Sequence, residues 1–190
     1  MNLPNIKTNR KTGNENFVLK KKVLNIKIQD FWCWNQSNLI ENRTRGILAE
    51  FIVKEALNIK SQSRIEWDYY DLITDNGTKI EVKSAAYIQS WKQRKYSAIK
   101  FSISKTVNEP SNCELSGKIG RSSDYYVFCL LKTKDQDVIN PIDLDQWTFF
   151  VLKTDIINEK LQNQKTIGLN SLLKLNPVQC NYNQLKDVII

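Results

Sequence analysis

Between residues 44 and 57 the apolar side chains Ile47, Leu48, Phe51, Ile52, Ala56 and Leu57 recur at three- and four-residue intervals, the spacing that gathers them on one face of an α-helix. Asn42 or Thr44 is suited to cap that helix, and Glu50 lies beside its apolar stripe. Further on the period changes to two. Residues 65–74 and 78–87 alternate around Asp75-Asn76-Gly77, which predicts a β-hairpin. Residues 97–104 read as a third strand. Residues 125–131 (YYVFCLL) are nearly all apolar, as in a central strand covered on both faces. A further strand is predicted at 148–152, with short helices at 155–162, 170–175 and 182–188, the latter two capped by Asn170 and Asn181. Upstream, residues 1–16 are polar and expected to fray. Residues 17–28 alternate loosely and fit an edge strand or a basic arm. Residues 30–37 carry Phe31, Trp32 and Trp34, an aromatic plug for the core. The order predicts an α/β protein with a mixed β-sheet flanked by α-helices. No repeat or linker divides the chain, so a basic, partly flexible N-terminal arm (1–30) and a single domain (31–190) are expected.

Composition narrows the chemistry. Of 190 residues, 41% are hydrophobic and 25% charged, ordinary for a soluble globular chain. No apolar run approaches the ~20 residues of a membrane helix, and the N-terminus lacks the apolar core of a secretory signal. The expected setting is the cytoplasm, with no membrane partner. Cys33, Cys113, Cys129 and Cys180 are scattered, and histidine is absent. A Cys/His zinc site and any mechanism with a histidine base are thereby excluded. The remaining chemical means are carboxylates, lysine, hydroxyls or a hard metal ion. The net charge of +8 is unevenly placed. Residues 1–27 hold seven basic side chains against Glu15 alone, and residues 92–105 hold five with no acid. Such stretches fit either a polyanionic partner or a solvated lysine-rich surface.

One constellation stands out. Glu81 and Lys83 are two apart on the second hairpin strand and so share a face. Register decides whether Asp68 or Asp71 joins them. A two-residue Asn76-Gly77 loop would set Asp71 opposite Val82, on the wrong face. A three-residue loop, with Gly77 in the left-handed conformation, sets it opposite Glu81 and sends Tyr70, Leu72, Ile80 and Val82 together to the other face. The second arrangement gives a coherent apolar surface and is the one predicted, with Asp68 turned away. Carboxylates held so close favour a shared proton or a bound divalent cation, and Mg²⁺ prefers oxygen ligands.

The segments RGILAEFIVKEAL, EWDYYDLIT and NGTKIEVKSAAYIQSW, in this order, resemble the core of the PD-(D/E)XK nuclease superfamily, which includes type II restriction enzymes and archaeal Holliday-junction resolvases. They also resemble an uncharacterised bacterial family of restriction-endonuclease-like proteins. The motif-bearing likeness covers residues 43–91, and the bacterial likeness extends through LDQWTFFVLKT near residue 153. Tyr70 stands where the name-giving motif has proline. The resemblance implies a restriction-endonuclease-like fold and a Mg²⁺-dependent endonuclease that hydrolyses DNA phosphodiester bonds, with Mn²⁺ able to substitute. Asp71, Glu81 and the Val82 carbonyl would ligate the metal. Lys83 would orient or activate the attacking water, and Glu50 would reach the metal shell directly or through water. It admits a homodimer, with two sites for two strands. The alternatives are a junction-resolving enzyme using the same residues and a non-catalytic nucleic-acid-binding protein on the same scaffold.

Other residues are weaker candidates. Lys92, Arg94 and Lys95 fit phosphate contacts or a solvated turn, and Arg43, Arg45 and Arg121 are of the same grade. Gln89 could touch a nucleotide, although an ordinary strand-end polar role is the better reading. For Trp67, Tyr87 and Trp91, core packing is preferred over base stacking. Asp124 reads as a turn residue.

Overall fold

The computed structural model describes residues 6, 9–60, 69–107 and 119–190. In chain order its elements are β1 (Asn16–Leu19), β2 (Lys22–Lys27), α1 (Ile28–Gln36), α2 (Asn42–Ala56), β3 (Leu72–Ile73), β4 (Lys79–Ala86), β5 (Lys100–Ser102), β6 (Thr106–Val107) and β7 (Ile119–Gly120). They continue with β8 (Tyr125–Leu131), β9 (Trp147–Lys153), α3 (Thr154–Leu161), β10 (Thr166–Gly168), α4 (Leu169–Leu173), β11 (Val178–Cys180) and α5 (Leu185–Ile189).

Among the described residues, five strands build the central sheet in the order β11-β9-β8-β4-β3. Only β4 and β8 run parallel, with Glu81 beside Tyr126 and Lys83 beside Phe128. The other pairs are antiparallel, so the sheet is mixed, as predicted. The apolar run of β8 follows from its position. Val127, Cys129 and Leu131 face a core shared with α2 and α5, through Ala49, Ile52, Val53, Leu185 and Ile189. Tyr126, Phe128 and Leu130 face a second core that includes Ile157, Leu172 and Ile167. On β9 the indole of Trp147 is buried with its N–H donated to the Pro141 carbonyl at 2.9 Å, so this large side chain leaves no polar group unsatisfied.

Several predicted details are corrected. The helix begins at Asn42 and is capped by Glu41, whose carboxylate accepts the Arg43 and Thr44 N–H groups at 2.9 and 3.0 Å, not by Asn42 or Thr44. Its buried face is Thr44, Arg45, Ala49, Ile52 and Val53, which rotates the predicted stripe and leaves Phe51 55% exposed. The cause is Arg45, whose guanidinium binds Ser84, Gln89, Asn42 and the Ile40 carbonyl and turns its own side of the helix to the sheet. The predicted third strand is the short β5, which pairs with β10 outside the main sheet; its Phe101 nevertheless enters the second core. α4 follows Gly168, so Asn170 is not its cap. Asn181 does cap the turn before α5, accepting from the Gln184 N–H at 3.3 Å. Residues 65–68 of the predicted first hairpin strand, and Trp67 with them, lie outside the described residues.

The N-terminal part differs most. β1 and β2 form a hairpin of their own, and the stretch expected to be an aromatic plug is the helix α1, none of whose residues is buried. Residues 12–15 are tied to it. The Gln29 N–H donates to the Gly13 carbonyl and the Ile28 N–H to the Glu15 carbonyl, each at 3.0 Å. Gly13 has φ +95° and packs against the Trp32 ring.

Two substitutions check this packing. Phe128 is fully buried between Phe101 and Tyr126, with ring centroids 5.1 and 5.7 Å away. Phe128→Ala should cost about 3–5 kcal/mol in denaturant unfolding. Phe51→Ala should change stability by no more than about 0.5 kcal/mol. A large loss from Phe51→Ala would restore the unrotated stripe.

Candidate active site

The site is set by the hairpin register. Leu72 pairs with Ile80 and Ile73 with Lys79. Beyond them the Thr74 N–H donates to the Thr78 carbonyl at 3.0 Å, and the Gly77 N–H to the Thr74 carbonyl at 2.9 Å. The loop is therefore Asp75-Asn76-Gly77, with Gly77 at φ 87°, a left-handed conformation that costs glycine little. The Asn76 side chain fastens the loop by accepting from the Thr78 N–H and hydroxyl at 3.3 and 3.0 Å. This is the predicted three-residue loop, and its register carries Asp71 to the level of Glu81. Asp68 lies outside the described residues.

Asp71 sits where regular pairing ends. Its N–H donates to the Ile80 carbonyl at 3.0 Å, while its Oδ2 accepts the Val82 N–H at 2.7 Å. A carboxylate has taken a backbone acceptor's place, which fixes its direction relative to β4. The Lys83 ammonium pairs directly with Glu81 Oε1 and stands 4.0 Å from Asp71 Oδ2. The other Glu81 oxygen accepts from the Ser123 hydroxyl at 3.4 Å. The three side chains are 20%, 19% and 26% exposed for Asp71, Glu81 and Lys83. A ligand can reach them, yet they are shielded enough that their charges interact strongly.

Burial raises the pKa of the Glu81 carboxyl above its ordinary value, and the nearby Asp71 charge pushes the same way against the attraction of Lys83. For Lys83 burial acts downward, but the charges of Glu81, Asp71 and, least, Glu50 outweigh it and raise its pKa. The two directions are compatible: burial opposes the charged form of each, and the charges around Lys83 overcome it while those around Glu81 do not. Burial and the Glu81 charge also push up the pKa of the Tyr126 hydroxyl, which keeps its proton.

The remaining candidates fall at different places. Glu50 is half-buried on α2, and its charge reaches Lys83. The Val82 side chain belongs to the core under α2. Gln89 accepts from Arg45 at 3.2 Å and donates to the Ala86 carbonyl at 2.8 Å. Lys92, Arg94 and Lys95 are exposed after β4, and Arg94 and Lys95 line an open cleft of about 830 Å³ with Tyr96, Lys134 and Asp135. Trp91, expected in the core, is 53% exposed. Arg121 is held by the Ile103, Gln162 and Gln164 carbonyls and by Asn158. Asp124 is structural: its carboxylate accepts the Lys79 N–H at 2.7 Å, locking β8 against β4. Sequence reasoning missed Ser123 and Tyr126, which reach Glu81 only through the parallel β4–β8 pairing; no local pattern marks them.

Comparison with known proteins supplies the remaining fact. The profile of the family described as Bacteriophage T4 endonuclease IV matches residues 5–171. The chain belongs to that family. The match takes in the N-terminal hairpin, α2, the Asp71–Glu81–Lys83 cluster and the central strands, so this endonuclease carries its charged cluster within the family's own region. A search of curated proteins found no match. Among the described residues no group of three or more His, Cys, Asp or Glu side chains could hold a metal ion. None of the described helices is long and apolar enough to cross a membrane.

The charge balance has a measurable consequence. A carboxyl whose pKa is raised on folding binds more protons in the native state than in the unfolded chain. Its contribution to stability is therefore full below the unfolded value of 4.5 and is lost as pH rises through the folded value. Carboxyl-carbon NMR titration of the metal-free protein should place Glu81 above 4.5, and Lys83→Met should move it higher still. A Glu81 titration at or below 4.5 in both proteins would contradict the described burial and repulsion.

Proposed function

We propose that this endonuclease hydrolyses DNA phosphodiester bonds by the divalent-metal-dependent chemistry of the PD-(D/E)XK superfamily, with Asp71, Glu81 and Lys83 at the reaction centre. The observation that carries the reading is the convergence of the two carboxylates on one lysine at a partly exposed place in the sheet. The donor set fits a hard cation. Mg²⁺ is commonly bound through one or two carboxylates plus substrate phosphate, and two carboxylates are what Asp71 and Glu81 offer, with the Val82 carbonyl as a further oxygen. Mn²⁺ is expected to substitute. When bound, such an ion lowers the pKa of water and neutralises charge on the phosphate.

The chain's own groups divide the work. Asp71 is held by the Val82 N–H, so its other oxygen remains to bind a ligand in a fixed direction. Glu81 is kept in place by Ser123 and Lys83. Lys83, with its pKa raised by the surrounding carboxylates, acts as an ammonium: it orients the attacking water and stabilises negative charge on the phosphorus oxygens. Glu50 adds negative charge at the edge of this group. Gln89, Lys92, Arg94 and Lys95, which follow β4 in the chain, are proposed as contacts to the flanking nucleotides. The proposed setting is the cytoplasm, and a homodimer would supply a second site for a second strand.

Lys83→Ala should lower DNA cleavage at least about a hundredfold while calorimetry still detects divalent-ion binding, because both carboxylates remain. Glu81→Ala should lose ion binding and cleavage together. Cleavage by Lys83→Ala at near the unaltered rate would refute the assignment.

A further inference from the structure

The N-terminal unit, residues 9–36, contains exposed apolar and basic side chains that the active site does not use. Its strands and helix bury almost nothing. All residues of β1 are exposed, as are all but Leu24 of β2, and α1 has no buried residue. Trp34 is 82% exposed. A two-stranded hairpin with one short helix is marginal by itself, so such a surface implies a partner.

Charge and ring placement identify that partner. Lys20, Lys21 and Lys22 crowd the hairpin tip, and Lys20 and Lys21 adopt φ of 47° and 67°. A left-handed conformation at both central turn positions normally selects Asn-Gly; here two lysines occupy it and place their ammonium groups at the tip. Lys27, Phe31 and Trp34 follow at intervals of four and three residues, which puts them on one side of α1. The Phe31 and Trp34 rings lie 6.5 Å apart with planes 36° from parallel. Trp32 is not part of this face, since it packs on Gly13 and ties the helix to the hairpin. Clustered lysines with exposed rings beside them are the means by which proteins hold a nucleic-acid strand: ammonium groups for phosphates, aromatic faces for unpaired bases.

We propose that residues 9–36 form a second nucleic-acid contact, in which the hairpin-tip lysines hold backbone phosphates and Phe31 and Trp34 stack on unpaired bases. This deepens the nuclease reading and rests on it. A purely aliphatic face would fit a second copy of the chain equally well, but six basic side chains against Glu15 and Asp30 within the unit oppose the approach of an identical surface and attract a polyanion.

The test is binding of the full chain to a fluorescent single-stranded DNA oligonucleotide and to the matching duplex, in Ca²⁺ or chelator so that nothing is cut. Trp34→Ala should weaken single-strand binding about tenfold, whereas Trp34→Phe should retain most of it. Replacing Lys20, Lys21 and Lys22 by Ala should lower the slope of log affinity against log salt by about 2. Trp34→Ala should affect the duplex less, because its bases are paired, whereas the triple variant should weaken both DNAs. Sedimentation of each variant checks the competing occupant. If Trp34→Ala and the triple variant bind both DNAs as the unaltered chain does, the proposal fails. If in addition they convert a dimer to a monomer, the surface belongs to a second copy. Failure of the underlying nuclease reading looks different, since then the unaltered chain itself would hold neither DNA.

Discussion

Charged side chains on a shielded strand inside the sheet are the constraint from which the rest of this structure follows. β4 is flanked by β8 and packed under α2, yet it carries Glu81 and Lys83. Removing such groups from water is costly unless each finds a partner. Here the partners are arranged around the pair: Asp71 from the hairpin, Ser123 from the loop before β8, and Glu50 from α2 as a more distant charge. Asp71 is in turn aimed by the Val82 N–H. The cluster is neutralised only in part: burial, with the Asp71 charge, holds the Glu81 pKa up against Lys83, while the surrounding carboxylates raise that of Lys83. Unbalanced charge in a shielded place is characteristic of functional sites, and an excess of carboxylate is suited to receive a cation.

Positioning comes from longer-range features. The three-residue loop sets Asp71 level with Glu81. Asp124 accepts the Lys79 N–H and donates its own N–H to the Lys79 carbonyl at 2.8 Å, which brings Ser123 over the Glu81 carboxylate. Arg45, buried on α2, binds Ser84 and Gln89 at once and so clamps the helix to the strand that carries Glu81 and Lys83. An arginine whose sequence context fits a phosphate contact thus serves as the rivet between two elements around the cluster.

Much of this was legible in the chain where a signal was local. The Asn-Gly step and the alternation on either side of it fixed the hairpin register, and with it the relation of Asp71 to Glu81. The unbroken apolar run of β8 identified a strand with two buried faces. What could not be read depended on contacts between distant segments. The stripe on α2 rotated because Arg45 found four partners, three of them outside its own turn of helix, and Phe51 was left in solvent. The aromatics of residues 30–37 looked like core because hydrophobicity alone carries no information about whether a core is within reach. Ser123 and Tyr126 entered the site through parallel pairing, which has no turn to announce it. The family match reaches residue 171, well past the stretch in which short motifs could be recognised.

A crystal of the protein grown with Mn²⁺ and an uncleavable DNA oligonucleotide, measured at the manganese absorption edge, tests the central claim most directly. The expected result is an anomalous peak within coordination distance of both Asp71 and Glu81, with a DNA phosphate on the same ion and the Lys83 ammonium beside it. A peak held by other residues, or bound DNA whose phosphates lie away from this cluster, would contradict the account.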